Sequence, residues 1–224
     1  MPCLFAYRKI NRVYFNMKKI ILIGCSGSMG KMIQENIKPP YKIVSCIDEK
    51  NQNIDDDYYA VLDFSTPKAT KKFAPIFISK KIPYICGTTG FSEEDKAFFK
   101  GLCDIFHSSF KLVSNFDNTF KDFIESINLI KSSFKRAIIE EWHYKLKKDL
   151  PSGTAITIKN NLKELDVKII SHRVDKVRFI HQVTFYSDSK ILTLKHIILN
   201  RKAYLKGIIK CLDNLSTNGF KEGL

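Results

Sequence analysis

Between residues 140 and 155 the chain reads Glu140-Glu141-Trp142-His143-Tyr144-Lys145-Leu146-Lys147-Lys148-Asp149-Leu150-Pro151-Ser152-Gly153-Thr154-Ala155. A histidine leaves an apolar run, three lysines follow in a short loop, and a Ser-Gly-Thr turn opens a helix-like stretch. These residue types at this spacing suit an anion that must also receive a proton. Lysines supply charge, and free amides and hydroxyls at 152–154 can hold a carboxylate against a helix N-terminus. Histidine donates a proton near neutral pH. Each residue also has an ordinary structural reading: Ser152 or Thr154 as an N-cap, His143 as a satisfied strand histidine, the lysines as a solvated loop. Their clustering at one strand end favours chemistry.

A second group lies earlier in the chain. Gly24-Cys25-Ser26-Gly27-Ser28-Met29-Gly30 follows an apolar strand and opens a helix. Glycines there let the backbone turn tightly and approach a pyrophosphate, while amides at the helix start attract its charge. The spacing G-x-x-G-x-x-G is a variant of the commoner fingerprint and is weak by itself. Asp48 ends the next strand, where an acid accepts hydrogen bonds from an adenosine ribose, and Gly87-Thr88-Thr89-Gly90 supplies another glycine turn at the same sheet edge. Together they predict a dinucleotide site. Glu49 beside Asp48 repels a 2′-phosphate, partly offset by Lys50 or Lys31, so NADH is expected to serve at least as well as NADPH.

These groups need elements to hold them. Strands are predicted at 19–23, 42–47, 60–64 and 83–86, with helices at 31–37, 69–79 and 93–102 between them, the pattern of a parallel sheet covered on both faces. Beyond Asn115 the pattern changes to a helix at 116–131, a strand at 137–143 and a helix from Ser152. Residues 179–187 and 190–199 alternate as a hairpin around Asp188-Ser189, which sets His181 opposite His196, Val183 opposite Leu194 and Phe185 opposite Leu192. A last helix at 201–212 is expected to return to the first domain. The fold class is therefore α/β: a Rossmann-like dinucleotide-binding domain at 17–115 and 201–224, and an α+β substrate and oligomerisation domain with a mixed open sheet at 116–200.

The 224 residues carry a net charge of +14 and are 44% hydrophobic, ordinary for a globular chain. The basic residues are spread out, no nucleic-acid module is apparent, and the charge suits anionic ligands, so no nucleic-acid partner is expected. No apolar run reaches the roughly eighteen residues of a membrane span, and no membrane partner is expected. The six cysteines contain no C-x-x-C pair, so neither a metal site nor a disulfide framework is expected, and a reducing cytoplasm is the natural setting. Residues 1–16 read as an extension outside the fold, with Met17 as the functional start.

The chain resembles the 4-hydroxy-tetrahydrodipicolinate (dihydrodipicolinate) reductase family. That family's signature E-x-H-H-x-x-K-x-D-x-P-S-G-T-A is matched at Glu141, His143, Lys147, Asp149, Pro151, Ser152, Gly153, Thr154 and Ala155. Asp63-Phe64-Ser65, Gly87-Thr88-Thr89-Gly90-Phe91 and Ser114-Asn115-Phe116 follow in the family's order, and the likeness runs over about 17–212. It implies reduction of the ring formed when 4-hydroxy-tetrahydrodipicolinate loses water, in lysine and diaminopimelate synthesis, with NADH or NADPH as cofactor. It makes His143 the proton donor and Lys147 its catalytic partner. It assigns one substrate carboxylate to Gly153 and Thr154, with Ser152, Tyr144 and Arg201 as further substrate-binding residues, and the nicotinamide end to Gly87–Thr89 and Ser114–Phe116. It also implies a homotetramer assembled through the second domain's sheet. The chain departs at Tyr144, where the family has a second histidine, and at Asp175 and Phe179, which replace glycines. Other readings of the same residues are a non-catalytic dinucleotide-binding regulator and another dehydrogenase of aspartate-derived substrates.

Overall fold

The computed structural model describes residues 17–48, 57–145, 147, 149–175, 179–216 and 218–224. The expectations placed on residues 1–16, Glu49, Lys50 and Lys148 lie outside the described residues. In chain order the elements are β1 (Lys18–Ile23), α1 (Ser28–Asn36), β2 (Tyr41–Ile47), β3 (Ala60–Asp63), α2 (Pro67–Ser79), β4 (Tyr84–Cys86), α3 (Glu93–Phe106) and β5 (Ser109–Leu112). They continue as α4 (Thr119–Ile130), β6 (Arg136–Tyr144), α5 (Gly153–Asn160), β7 (Asp166–Val174), β8 (Phe179–Tyr186), β9 (Ile191–Ile198), α6 (Leu205–Asp213) and β10 (Gly219–Glu222). Short 3₁₀ turns precede β6 at Lys131–Ser133 and α6 at Arg201–Tyr204.

Two compact units result. The first comprises residues up to Cys86, Asp95–Lys111 and Leu215–Lys221; the second comprises Gly87–Glu94, Leu112–Asn214 and Glu222–Leu224. The sequence division placed 201–224 and all of 17–115 in the first domain. Instead 201–214 and the glycine turn at 87–90 group with the second unit. A packing reason is visible at Gly207 of α6, where an added Cβ would come within 1.8 Å of the Phe116 carbonyl oxygen.

The first unit is built on the strand order β10-β5-β4-β3-β1-β2. β1 pairs in parallel with both β2 and β3, and β3 with β4. Ile20, Ile21, Leu22 and Ile23 of β1 are all buried, as a strand covered on both faces requires. The chain leaves β1 to opposite sides for β2 and β3, so the carboxyl end of β1 is a topological switch point where ligands of open α/β sheets bind. At the edge, Phe220 of β10 stacks on Phe110 of β5 with ring centroids 5.7 Å apart. Cys25 and Cys46 form a disulfide with Cα atoms 5.8 Å apart, which corrects the expectation drawn from cysteine spacing. Pairing of β1 with β2 sets Leu22 beside Cys46, so the two sulfurs meet through tertiary register rather than a local motif.

The second unit carries the mixed sheet β7-β6-β8-β9, with β6–β7 parallel and β6–β8 and β8–β9 antiparallel. The hairpin register is the one expected: His181 opposite His196, Val183 opposite Leu194 and Phe185 opposite Leu192. Ala137 and Ile139 of β6 pack with Phe123 and Ile127 of α4 and Ala155 and Ile158 of α5. That core fixes where α5 begins and where β6 ends, and so where the functional residues of both stand. No helix among the described residues is long and apolar enough to cross a membrane.

Candidate active site

In the first unit, β1 ends in a turn that only glycine can make. Gly24 has φ +86°, and a Cβ there would lie 2.4 Å from the Phe64 carbonyl oxygen. A Cβ on Gly30 would lie 2.3 Å from the Gly24 carbonyl oxygen, so the glycine lets α1 press against the turn. α1 starts after Gly27 with no side-chain cap and no acid in its first turn, leaving its amides for an anion. Ser26, Gly27 and Ser28 are exposed, while Met29 is half-buried. A cavity of about 710 Å³ opens beside this turn, bordered by Ser26, Gly27, Asp48, Ser65, Lys68 and Lys72. Next to Phe64 and Ser65, which border the cavity, Asp63 is fully buried. Its carboxylate accepts from Ser65 N (3.0 Å), Thr70 Oγ1 (2.6 Å) and Tyr84 OH (2.6 Å). Burial raises its pKa despite those donors. The shape and the open helix end fit a dinucleotide.

In the second unit, three segments distant in sequence meet. Ser152 caps α5, its Oγ accepting from Ala155 N at 3.2 Å. A Cβ on Gly153 would lie 2.7 Å from Thr89 Cγ2 and 3.5 Å from Ser114 Cβ. Thr154 Oγ1 donates to the Ser114 carbonyl at 3.2 Å, and Ser114 Oγ lies 3.0 Å from Thr157 Oγ1. Thr89 Oγ1 donates to Asp149 Oδ2 at 2.9 Å, and Asp149 Oδ1 pairs with Lys147 Nζ at 2.7 Å. Burial opposes the Asp149 charge, but the bond from Lys147 and its ammonium charge outweigh that and lower its pKa. The Gly87–Thr89 turn, Ser114, the lysine loop and the start of α5 thus converge.

Behind the lysine loop lies a buried charged group. Glu141 and His143 alternate onto the same face of β6 and are 0% and 5% exposed. Glu141 Oε2 lies 3.5 Å from His143 Nδ1 and 3.7 Å from His181 Nε2. The rings of His143 and His181 meet edge-on at 5.1 Å. Burial holds His143 down to about 4, opposed by Glu141 and reinforced by Lys147 and Arg173. Burial likewise takes His181 to about 3, with His143 adding to the effect. Both imidazoles are therefore neutral near pH 7. Burial works against the Glu141 charge, yet hydrogen bonds from Ser152 and Ser171 keep its pKa lowered. These three residues present ligand-type atoms within 4.8 Å of one another. Arg173, 3.3 Å from Glu141 Oε1, sets a fixed positive charge against any cation there.

The structure does not gather every predicted residue equally. Tyr144 follows His143 in β6, alternates to the other face and is 40% exposed. Arg201 stacks its guanidinium 4.9 Å from the Phe179 ring centroid, and Phe179 in turn meets His143 edge-on at 6.1 Å. Phe179, standing where the family has glycine, thus bridges the arginine and the histidine. Asp175, the other departure, pairs with Lys145 at 2.5 Å. Asn115 and Phe116 are buried, with Asn115 Oδ1 accepting from Asp117 N at 2.9 Å. Sequence reasoning did not single out Glu141, His181 or Arg173 for the site. One signal was available: an acid two residues before the histidine shares its strand face, and that face is otherwise apolar.

Comparison with known proteins agrees with this geometry. Residues 18–116 match the family described as "Dihydrodipicolinate reductase, N-terminus", and residues 118–223 match "Dihydrodipicolinate reductase, C-terminus". The 4-hydroxy-tetrahydrodipicolinate reductase of Bdellovibrio bacteriovorus is 32% identical over 213 residues, covering 87% of this chain and 89% of that one. That of Clostridium novyi is 29% identical over 238 residues, covering 89% and 93%. A solved structure of dipicolinate-bound dihydrodipicolinate reductase from Paenisporosarcina sp. TG-14 has a TM-score of 0.68 at 19% identity, over 93% of this chain and 98% of that one, a likeness of fold. With both halves of the chain matched, and a relative above 30% identity along most of its length, the protein belongs to the dihydrodipicolinate reductase family.

Proposed function

We propose that His143 and Lys147 carry the family's reaction in this chain, with 4-hydroxy-tetrahydrodipicolinate as substrate. The chain is a nicotinamide-dependent reductase of that family. Loss of water from the hydroxylated ring gives dihydrodipicolinate; addition of one hydride and one proton gives tetrahydrodipicolinate and the oxidised cofactor. NADH or NADPH supplies the hydride when bound. The glycine turn at 24–30 and the α1 amides hold its pyrophosphate, Asp48 takes the adenosine ribose, and Gly87–Thr89 with Ser114–Phe116 take the nicotinamide end. Gly153, Thr154 and Ser152 hold one substrate carboxylate at the start of α5, Lys147 and Arg201 neutralise the dianion, and Tyr144 borders the entrance. His143, neutral in the free enzyme, gains basicity when the dianion arrives and then delivers the proton.

The observation that carries this reading is the convergence of the Thr89 turn, Ser114, the Lys147–Asp149 pair and the start of α5 in one unit. A shared anionic ligand accounts for these polar segments meeting at a strand end beside a histidine. Asp48 at the cavity edge supports NADH being used at least as well as NADPH, which the ratio of the two kcat/KM values checks. Exposed Ile191, Leu192 and Ile197 on edge strand β9 support assembly through this sheet into a homotetramer, and sedimentation measures it. A role in amino-acid biosynthesis supports a cytoplasmic setting.

Substrate-dependent NADH oxidation, with substrate made in situ by its synthase, tests the reaction. Replacement of His143 by alanine should lower turnover far more than cofactor affinity, since the proton is delivered in the transition state. Near-normal turnover in that variant would remove His143 from its role.

A further inference from the structure

The Glu141 side chain is 0% exposed, and a buried carboxylate is costly unless it is paired. Its pairing is lopsided. Oε1 accepts from Ser152 N at 3.0 Å, Ser171 Oγ at 2.6 Å and Arg173 Nη2 at 3.3 Å. Oε2 is left facing His143 Nδ1 at 3.5 Å and His181 Nε2 at 3.7 Å, and among the described residues neither Oε2 nor His143 Nδ1 has a hydrogen-bond partner, so the two buried atoms stand one short approach from satisfying each other. Three donors from two elements therefore lock one oxygen and aim the other at the imidazole.

We propose that Glu141 is a positioning residue for the reaction, one whose free oxygen holds the proton of His143 on Nδ1 and so turns Nε2 towards the substrate. The inference rests on the reading of His143 as proton donor. The logic is that of any carboxylate behind a catalytic histidine: it selects the tautomer, fixes the ring and favours the imidazolium as it forms. The ring has little freedom to escape this arrangement, because His181 stands edge-on at 5.1 Å and Phe179 at 6.1 Å.

Arg173 extends the same control to the lysine loop. Its Nη2 donates to Glu141 Oε1 and to the Asp149 carbonyl at 2.6 Å, and its Nε donates to the Lys147 carbonyl at 3.4 Å. One guanidinium thus ties the carboxylate that orients His143 to the backbone that carries Lys147. The charged and titratable groups around His143 are Glu141 on its own strand, His181 on β8, Arg173 on β7, and Lys147 and Asp149 on the loop.

The test is a double-mutant cycle of Glu141→Gln and His143→Gln, read as kcat, both KM values and the pH profile of kcat. Glu141→Gln keeps the size of the side chain, and should lower kcat by about 10- to 100-fold, less than the about 100- to 10,000-fold that the general acid itself contributes, while leaving both KM values nearly unchanged. The pH above which kcat falls should move lower, because the variant no longer favours the imidazolium. In the His143→Gln background the second substitution should cost nothing further, since it acts through a ring no longer there. Multiplying losses, or an unmoved pH limb, would overturn the inference and leave the role of His143 standing. If His143→Gln itself keeps its turnover, the proton-donor reading falls, and this inference falls with it. Should Glu141→Gln fail to fold, Ser171→Ala removes only one clamp on Oε1 and should shift the same pH limb in the same direction; an unmoved limb there counts against the proposal equally.

Discussion

Replacing Gly153 by alanine probes the convergence of the second unit most sharply, because activity and stability should respond differently. The new Cβ would lie 2.7 Å from Thr89 Cγ2 and 3.0 Å from Thr89 Cβ. Ordinary carbon–carbon separations are about 3.5–4.0 Å, so Thr89 must retreat by about 1 Å. Overpacking of this kind costs about 1–3 kcal/mol. Alanine regains about 1 kcal/mol over glycine within a helix, and Gly153 opens α5, so the net loss of stability should stay below about 2 kcal/mol. The functional loss should be larger. The retreat stretches the 2.9 Å bond from Thr89 to Asp149, and Asp149 is what holds Lys147 at 2.7 Å. A misplacement of about 1 Å in a reacting group costs about 100-fold. Parallel measurement of thermal unfolding and of kcat/KM for the dicarboxylate checks this, with a fall of about 100-fold expected in a protein that still melts cooperatively. A variant retaining kcat/KM within about twofold of the parent would refute the chain from Gly153 through Thr89 and Asp149 to Lys147.

Two other predictions concern the cofactor turn and the buried histidines. Gly30→Ala sets a Cβ 2.3 Å from the Gly24 carbonyl oxygen and 2.7 Å from Cys25 Cα, both backbone atoms that cannot swing aside. NADH affinity, followed by fluorescence titration, should fall by about tenfold or more for a displacement costing about 1–3 kcal/mol; an unchanged affinity would place the pyrophosphate elsewhere. His143 and His181 are held below their ordinary value to about 4 and about 3 by burial, so the unfolded chain binds more protons than the native one as pH falls below about 6.5. Their contribution to stability is complete above that pH and is lost as pH drops through the native values. The lowered Glu141 acts in the same direction, while the raised Asp63 opposes it. The unfolding midpoint should therefore decline from pH 7 towards pH 4, and less steeply in His181→Gln, whose side chain cannot charge; equal slopes would contradict the burial argument.

Much of this architecture was legible in local pattern. Strict alternation around Asp188-Ser189 fixed the β8–β9 register to the residue, because a one-residue slip would turn Val183 and Phe185 out of the core. β5 and β7 were not anticipated. β5 is four residues long, and β7 is an edge strand half-buried over most of its length, so neither shows a clean period of two. Within the site, His143, Lys147 and 152–154 stood out because they lie close together in sequence. Glu141 was visible as a letter of the signature, but its work depends on β7 and β8, which pair with β6 and set Ser171 and His181 beside it. Cys25 and Cys46 were hidden for the same reason, meeting only through β1–β2 register. Contacts made by strand pairing leave no local trace.

The most direct test of the account is NADH oxidation by the purified chain and its Lys147→Ala variant, with 4-hydroxy-tetrahydrodipicolinate supplied by its synthase and NADH binding titrated alongside. The account predicts substrate-dependent oxidation by the parent, its loss in the variant, and equal NADH affinity in both. Full oxidation by the variant, or a parent that binds NADH and never oxidises it with this substrate, would contradict it.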